Sequence, residues 1–205
     1  MEKIAATAKP EDVFVFSLSG HGATVGQLYH FLPYESKFSG DTRDNLIRKH
    51  GIPNDELTDW ISAILATKRV LIYDSCESGT VITRSGMEHR KAMEELANKT
   101  GCYTITAVAS GKELASELPG IGHGALTYSL LAGMGEAKEG ILQRRNAIGA
   151  DGTVRIRDLL GFAQDQVPNL TRISFGSEQR VAFSAKEDNF PLLGQPQGMN
   201  PNVKP

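Results

Sequence analysis

The chain has 205 residues, a net charge of −2 and 40% hydrophobic residues. That length suits one domain with a sizeable core, and the near-neutral balance offers no basic field for nucleic acid or for an anionic membrane surface. No apolar run approaches the roughly 20 residues of a membrane helix, Met1–Ala6 lacks the apolar core of a signal peptide, and two cysteines, Cys76 and Cys102, make a poor disulfide framework, so a reducing, cytoplasmic setting is expected.

Val13–Leu18 is a β-branched and aromatic run of strand length, followed at once by Ser19-Gly20-His21-Gly22. Pro33–His50 is polar and reads as loose. Over Asn54–Thr67 the residues Leu57, Trp60, Ile61, Ile64 and Leu65 recur at helical spacing, with Asn54 as the expected N-cap. Val70–Tyr73 is a second apolar strand, followed by Asp74-Ser75-Cys76-Glu77-Ser78-Gly79. Met93, Leu96 and Ala97 mark a helix, and Tyr103–Val108 a third strand. Thr127, Leu130, Leu131 and Met134 line a helix opening near Gly124. Gly135–Gly152 is rich in glycine and reads as loose. Ile156, Leu159, Leu160, Ala163 and Val167 predict a helix closed by Pro168, and Arg180–Ser184 a last short strand. Gly194–Pro205, rich in Pro, Gly and Asn, is expected to be a disordered tail. The first two strands show little polar alternation, as strands buried on both faces do. Strands alternating with helices predict a three-layer α/β sandwich with a mainly parallel sheet, as one domain over residues 1–193.

Two segments carry reactive side chains just past strand ends, the edge of a parallel sheet where active sites assemble. One brings the His21 imidazole and the other the Cys76 thiol. A thiolate attacks a carbonyl far better than a thiol does, and an imidazole can supply or relay protons near neutral pH. Gly20, Gly22 and Gly79 let the backbone turn sharply and approach a substrate. Backbone N–H groups at Gly22 and Cys76 could stabilise an oxyanion. Against this, a buried cysteine at a strand end is commonly just a small hydrophobe, and the pair alone does not decide between chemistry and packing.

The wording of the segments is more specific. Phe14-Val15-Phe16-Ser17-Leu18-Ser19-Gly20-His21-Gly22, Leu71-Ile72-Tyr73-Asp74-Ser75-Cys76-Glu77-Ser78-Gly79, Val108-Ala109-Ser110 and the stretch Gly122–Leu131 follow one another as in the caspase-like cysteine peptidases. Asn189-Phe190-Pro191-Leu192 is similar to the end of bacterial members. The chain therefore resembles that superfamily, and its Ser-Cys-Glu-Ser-Gly segment is closer to metacaspases than to the Ala-Cys-Arg-Gly type of animal caspases.

The resemblance implies a cysteine endopeptidase with His21 and Cys76 as catalytic dyad. Cys76 would form a thioester acyl-enzyme, and His21 would polarise the scissile carbonyl or protonate the leaving amine. It also implies a substrate pocket built from Asp74, Ser110 and Glu117. In a strand Asp74 shares a face with Cys76, although an acid there could equally cap a nearby helix or loop. Two acids where animal caspases carry arginines favour cleavage after Arg or Lys. Loop cleavage during activation, common in such enzymes, makes Arg84, Arg144 and Arg145 candidate self-cleavage sites, each of which could simply be solvated. Family members begin with a strand, a helix and a second strand ahead of the segment matching Val13. Here Met1–Ala8 reads as the end of that helix. The expectation is a sheet missing its first strand-helix-strand unit, completed by an N-terminal fragment or a second polypeptide and controlled by a regulatory or sensor partner.

Other residues are weighed against this reading. His123, flanked by glycines at a helix start, competes with His21 but could instead be a turn supporting the pocket. His30, His50 and His89 read as exposed or packing residues, and Met87 and Met93 as core or loop filler. Zinc at His21, Asp74 and Cys76 lacks a second thiol or imidazole at ligand spacing. Asp151-Gly152 reads as a turn before a short strand, since the ligand ladder of a calcium loop is missing. No cofactor is expected, and calcium activation is not readable. A silent caspase-like scaffold is the alternative. A small-molecule hydrolase with a Cys nucleophile is a third reading.

Overall fold

The computed structural model describes residues 1–26, 28–36, 39–77, 85–108, 115–184 and 188–194, with the backbone alone at 76–77 and 85–90. A short helix, α1 (Glu2–Thr7), leads through a turn into β1 (Val13–Val25), twice as long as the apolar run that announces it. After a tight reversal β2 (Leu28–Leu32) returns antiparallel along the far half of β1. There follow α2 (Arg43–His50), β3 (Ile52–Pro53), α3 (Asn54–Ser62), β4 (Lys68–Glu77), α4 (Ser85–Thr100) and β5 (Tyr103–Thr106). The last third supplies α5 (Ala125–Gly133), β6 (Val154–Arg155), α6 (Ile156–Phe175), β7 (Ala182–Ser184) and β8 (Pro191–Leu193).

Six strands form one sheet in the order β3-β2-β1-β4-β5-β7, while β6 and β8 make a separate pair. The central strands β1, β4 and β5 run parallel, with antiparallel strands at both margins. The apolar run of β4 divides its side chains between the two faces, as the two-residue period of a strand requires. Val70 and Ile72 pack with Leu126, Leu130, Leu159 and Leu160 of α5 and α6. Leu71 and Tyr73 pack with Leu57, Ile61, Met93 and Leu96 of α3 and α4. The result is the three-layer α/β sandwich that alternating strands and helices predict. Among the described residues no helix is long and apolar enough to cross a membrane.

Some elements differ from their sequence reading, each for a local reason. Within the polar stretch Pro33–His50, α2 forms because the Thr42 hydroxyl caps Asn45 N–H and Leu46 and Ile47 are buried. Asn54 is the first residue of α3 and does not cap it; its amide donates 3.1 Å to the Ala92 carbonyl of α4. Pro168 does not close α6. The ring removes one helical donor and costs about 3 kcal/mol, yet Leu170 and Thr171 on the following turn are buried against the core, as is Val167 just before it. The helix ends instead at Gly176, whose left-handed φ of 71° and N–H bond to the Arg172 carbonyl make a glycine C-cap.

β1 is paired unevenly. Its ladder to β4 runs from Val13 to Gly22, whereas its ladder to β2 begins only at His21. Along Val13–Gly20 the other edge of β1 carries no strand among the described residues.

Candidate active site

The register between β1 and β4 brings the two reactive positions together. Ser19 is opposite Asp74, Gly20 opposite Ser75, and His21 opposite Cys76. Neighbouring strands lie about 4.8 Å apart, so distant segments become adjacent by backbone pairing alone. Both positions are near the end of the parallel ladder at Gly22 and Glu77, but they lie inside strands and not past strand ends as the sequence suggests, because β1 runs on to Val25 by pairing with β2 and β4 extends to Glu77.

Two glycines flank His21 within β1, for different reasons. Gly20 has φ of +145°, a conformation side chains rarely adopt, although a Cβ would find its nearest neighbour at 3.6 Å. Its requirement is conformational. Gly22 is a matter of room: a Cβ there would run into the hydroxyl of Tyr29. That hydroxyl lies 2.9 Å from Ser75 Oγ, a buried pair that ties β2 to β4 across β1. Gly22, the expected oxyanion donor together with Cys76, stands inside the ladder, opposite Phe31 of β2 and Glu77 of β4.

His21 is exposed and lines a cleft of about 810 Å³. Phe31, Leu32, Leu46 and Ile47 give the cleft an apolar floor, with Asp41 and Arg43 also in its wall.

Asp74 is 5% exposed. Its Oδ2 accepts the Thr127 backbone N–H at 3.0 Å and also the Thr127 hydroxyl. The N-cap residue of α5 is Gly124, which has no side chain to offer, so Asp74 caps this helix from a neighbouring strand. Gly124 is needed for the approach: a Cβ would come within 2.5 Å of Asp74 Oδ2. Burial pushes the Asp74 carboxyl above its ordinary range, opposed by the bonds from Thr127 and by the nearby His123.

Glu117 is exposed and pairs with Gly124 in an isolated bridge. Leu118 N–H donates 3.0 Å to the His123 carbonyl, and Ala125 N–H donates 2.8 Å to the Ser116 carbonyl. Asp74, Glu117 and His123 therefore gather around the start of α5. Among the described residues, no group of three His, Cys, Asp or Glu side chains is placed to hold a metal ion.

The remaining candidates scatter. Ser110, Arg84 and residues 195–205 of the expected tail lie outside the described residues. Arg144 and Arg145 are exposed on the connection after α5, and Arg145 donates 3.0 Å to Gln166 of α6. At Asp151 the carboxylate accepts the Thr153 N–H at 3.0 Å, the Thr153 hydroxyl at 2.7 Å and Arg155 at 3.0 Å. These bonds hold its pKa down to about 2. His30 is buried, bonded at 3.0 Å to the Leu28 carbonyl.

Sequence reasoning missed Gln179. It is 2% exposed, and its amide donates 2.8 Å to the Ala107 carbonyl while accepting Ser116 N–H at 2.7 Å. It thus clamps both ends of the segment after β5, the segment that carries Ser110 and leads to Glu117. A lone glutamine in a polar stretch gives no sign of this. Thr127 and Tyr29 were equally silent, since their partners are distant in the chain.

No protein-family model matches the chain, and no curated protein matches it. Among solved structures, the protein GSU0716 of Geobacter sulfurreducens shares 17% identity over 91% of this chain and 71% of its own, with a TM-score of 0.47. A likeness of that size bears on neither activity nor partners.

Proposed function

We propose that the chain is a caspase-like cysteine endopeptidase with His21 and Cys76 as its dyad. The observation that carries this reading is the register that sets His21 opposite Cys76 near the end of the parallel ladder between β1 and β4. The resemblance of the flanking segments to caspase-like peptidases supports it independently.

In this mechanism the Cys76 thiolate attacks the scissile carbonyl carbon, and backbone N–H groups stabilise the resulting oxyanion. Collapse of the intermediate breaks the C–N bond. The amine leaves with a proton from His21, and the acyl group stays on sulfur as a thioester. Water then adds to the thioester, releasing the carboxylic acid and restoring the thiol. The acids Asp74 and Glu117 favour Arg or Lys before the cut. Because Asp74 is committed to α5, the exposed Glu117 carries more of that preference.

The test uses a peptide panel and a thiol-reactive probe bearing a basic residue. Cys76→Ala and His21→Ala are each expected to lower kcat/KM by about 10³-fold or more, with the probe attached at Cys76 in the wild type. Efficient turnover after Asp and none after Arg would overturn the specificity. No labelling of Cys76 would leave a caspase-like scaffold without activity. The intact mass of wild type beside Cys76→Ala reads self-cleavage at Arg84, Arg144 or Arg145, since fragments common to both rule it out.

A further inference from the structure

We propose that the cleft beside His21 receives the substrate residue that directly follows the scissile bond and selects a large apolar side chain there, with Tyr34 at its rim as a specificity-determining residue. The assignment rests on the endopeptidase activity proposed for His21 and Cys76.

The order of strands decides which side of the cut the cleft reads. Across β4, β1 and β2 the positions Cys76, His21 and Leu32 stand in a row, since His21 is opposite Cys76 in one ladder and opposite Leu32 in the other. Each step across the sheet is about 4.8 Å, and the side chains of paired residues share a face. In acyl transfer the acyl carbon stays on the cysteine, while the nitrogen that takes a proton from the histidine belongs to the leaving fragment. The next place along the row, beyond His21, therefore falls to the residue whose amine is released. Leu32 stands there, and it lines the cleft together with Ser19, Gly20 and His21.

The fold makes that place apolar. α2 packs against β1 and β2, where its Ile47 meets Ala23, Val25 and Leu32. Ile47 and its neighbour Leu46 also line the cleft. The carboxylate in the wall is already engaged, because Asp41 accepts the Thr42 N–H at 2.6 Å and the Asn45 amide at 3.0 Å at the start of α2. It has little left to offer a basic residue. Arg43 shares the wall and makes an acidic residue the rival occupant, but Phe31, Leu32, Leu46 and Ile47 border the same space.

Two residues of the loop after β2 point to a ligand. Tyr34 is fully exposed and lines the cleft. A ring left in water has apolar surface to bury and few rotations to lose when a ligand arrives. Ser36 also lines the cleft, and its Oγ is buried without a hydrogen-bond partner among the described residues. A buried hydroxyl in that state costs free energy, and a peptide carbonyl or N–H would complete it. At about 810 Å³ the cleft has room for a large side chain and the backbone that follows, since ligand sites span about 300–1,000 Å³.

Two measurements on the full chain test the assignment. The first needs no turnover: Phe-Ala-Gly amide, a mimic of the leaving fragment, is titrated into Cys76→Ala and followed by heteronuclear NMR. Saturable shifts are expected at Leu32, Tyr34 and Leu46, with none from Gly-Ala-Gly amide or Asp-Ala-Gly amide. The second is kcat/KM for the peptides acetyl-Ala-Ala-Arg-Xaa-Ala-Gly amide, where Phe and Leu at Xaa should exceed Gly and Asp by about tenfold or more. Tyr34→Ala should cut that ratio by about threefold or more, and Tyr34→Phe should keep it, with Tm near that of the wild type in both because the side chain is fully exposed. Absence of shifts in the cleft overturns the assignment. So does Cys76-dependent turnover without the apolar preference, or a ratio that Tyr34→Ala leaves unchanged, and in both the endopeptidase reading stands. A preference for Asp also overturns it and hands the cleft to Arg43. Turnover of no peptide, or turnover that survives Cys76→Ala, overturns the endopeptidase reading and the assignment with it.

Discussion

Asp74 shows how one side chain answers two demands at once. Its position on β4 makes it a candidate for recognising a basic substrate residue, and its carboxylate already completes the first turn of α5. A helix N-terminus welcomes a negative charge, but burial costs more than that here, and the carboxyl is held above its ordinary range. A raised folded-state pKa means that stability is greatest below the unfolded value of about 3.9 and declines as pH rises through the folded value. Asp74→Asn keeps an acceptor for Thr127 and should flatten that decline, while Asp74→Ala removes the cap and should cost about 1 kcal/mol. Thermal melts across pH 3 to 7 check both. If Asp74 also recognises substrate, Asp74→Asn should lower turnover of Arg and Lys peptides relative to neutral ones; a purely structural cap would leave that ratio unchanged.

At the scale of elements, the buried polar bonds decide how the pieces around the site are assembled. Gln179 holds the end of β5 and the approach to α5 in one place, and its own N–H donates 2.8 Å to Thr171 of α6. Gln179→Leu would strand the Ala107 carbonyl and the Ser116 N–H without this partner. A destabilisation of about 2–3 kcal/mol is expected, since each abandoned buried group costs about 1–3 kcal/mol. Urea unfolding measures it, and an unchanged midpoint would mean water replaces the amide. None of this is legible in the sequence, whereas much of the element plan is. The apolar runs at Val13, Val70 and Tyr103 announce strands because burial on both faces leaves no room for polar alternation, but β1 and β4 run on through Ser19–Gly22 and Asp74–Glu77, where backbone pairing outlasts the apolar pattern. What escapes is set by contacts between distant segments. Pro168 looks like a stop, yet the packing of Leu170 and Thr171 carries α6 past it. The sequence brings His21 and Cys76 to two neighbouring strands but puts them past the strand ends, whereas both lie inside β1 and β4, paired by a register that no local pattern encodes.

For the molecule as a whole, the sheet separates two cores that share no helix. One lies under α5 and α6, the other under α3 and α4. The second core is also the one against which Phe14 and Phe16 pack. Cys102 sits inside it at 3% exposure, accepting from the Thr100 hydroxyl at 3.0 Å. In Cys76→Ala this becomes the chain's single thiol, and a reagent reaches it only when that core opens. Alkylation should then run about 10³-fold or more slower than for an unfolded thiol, as intact mass against time would record, and prompt labelling would mean the core is open at rest. Cys102 thus works as a clock: its rate counts the openings of one half of the protein.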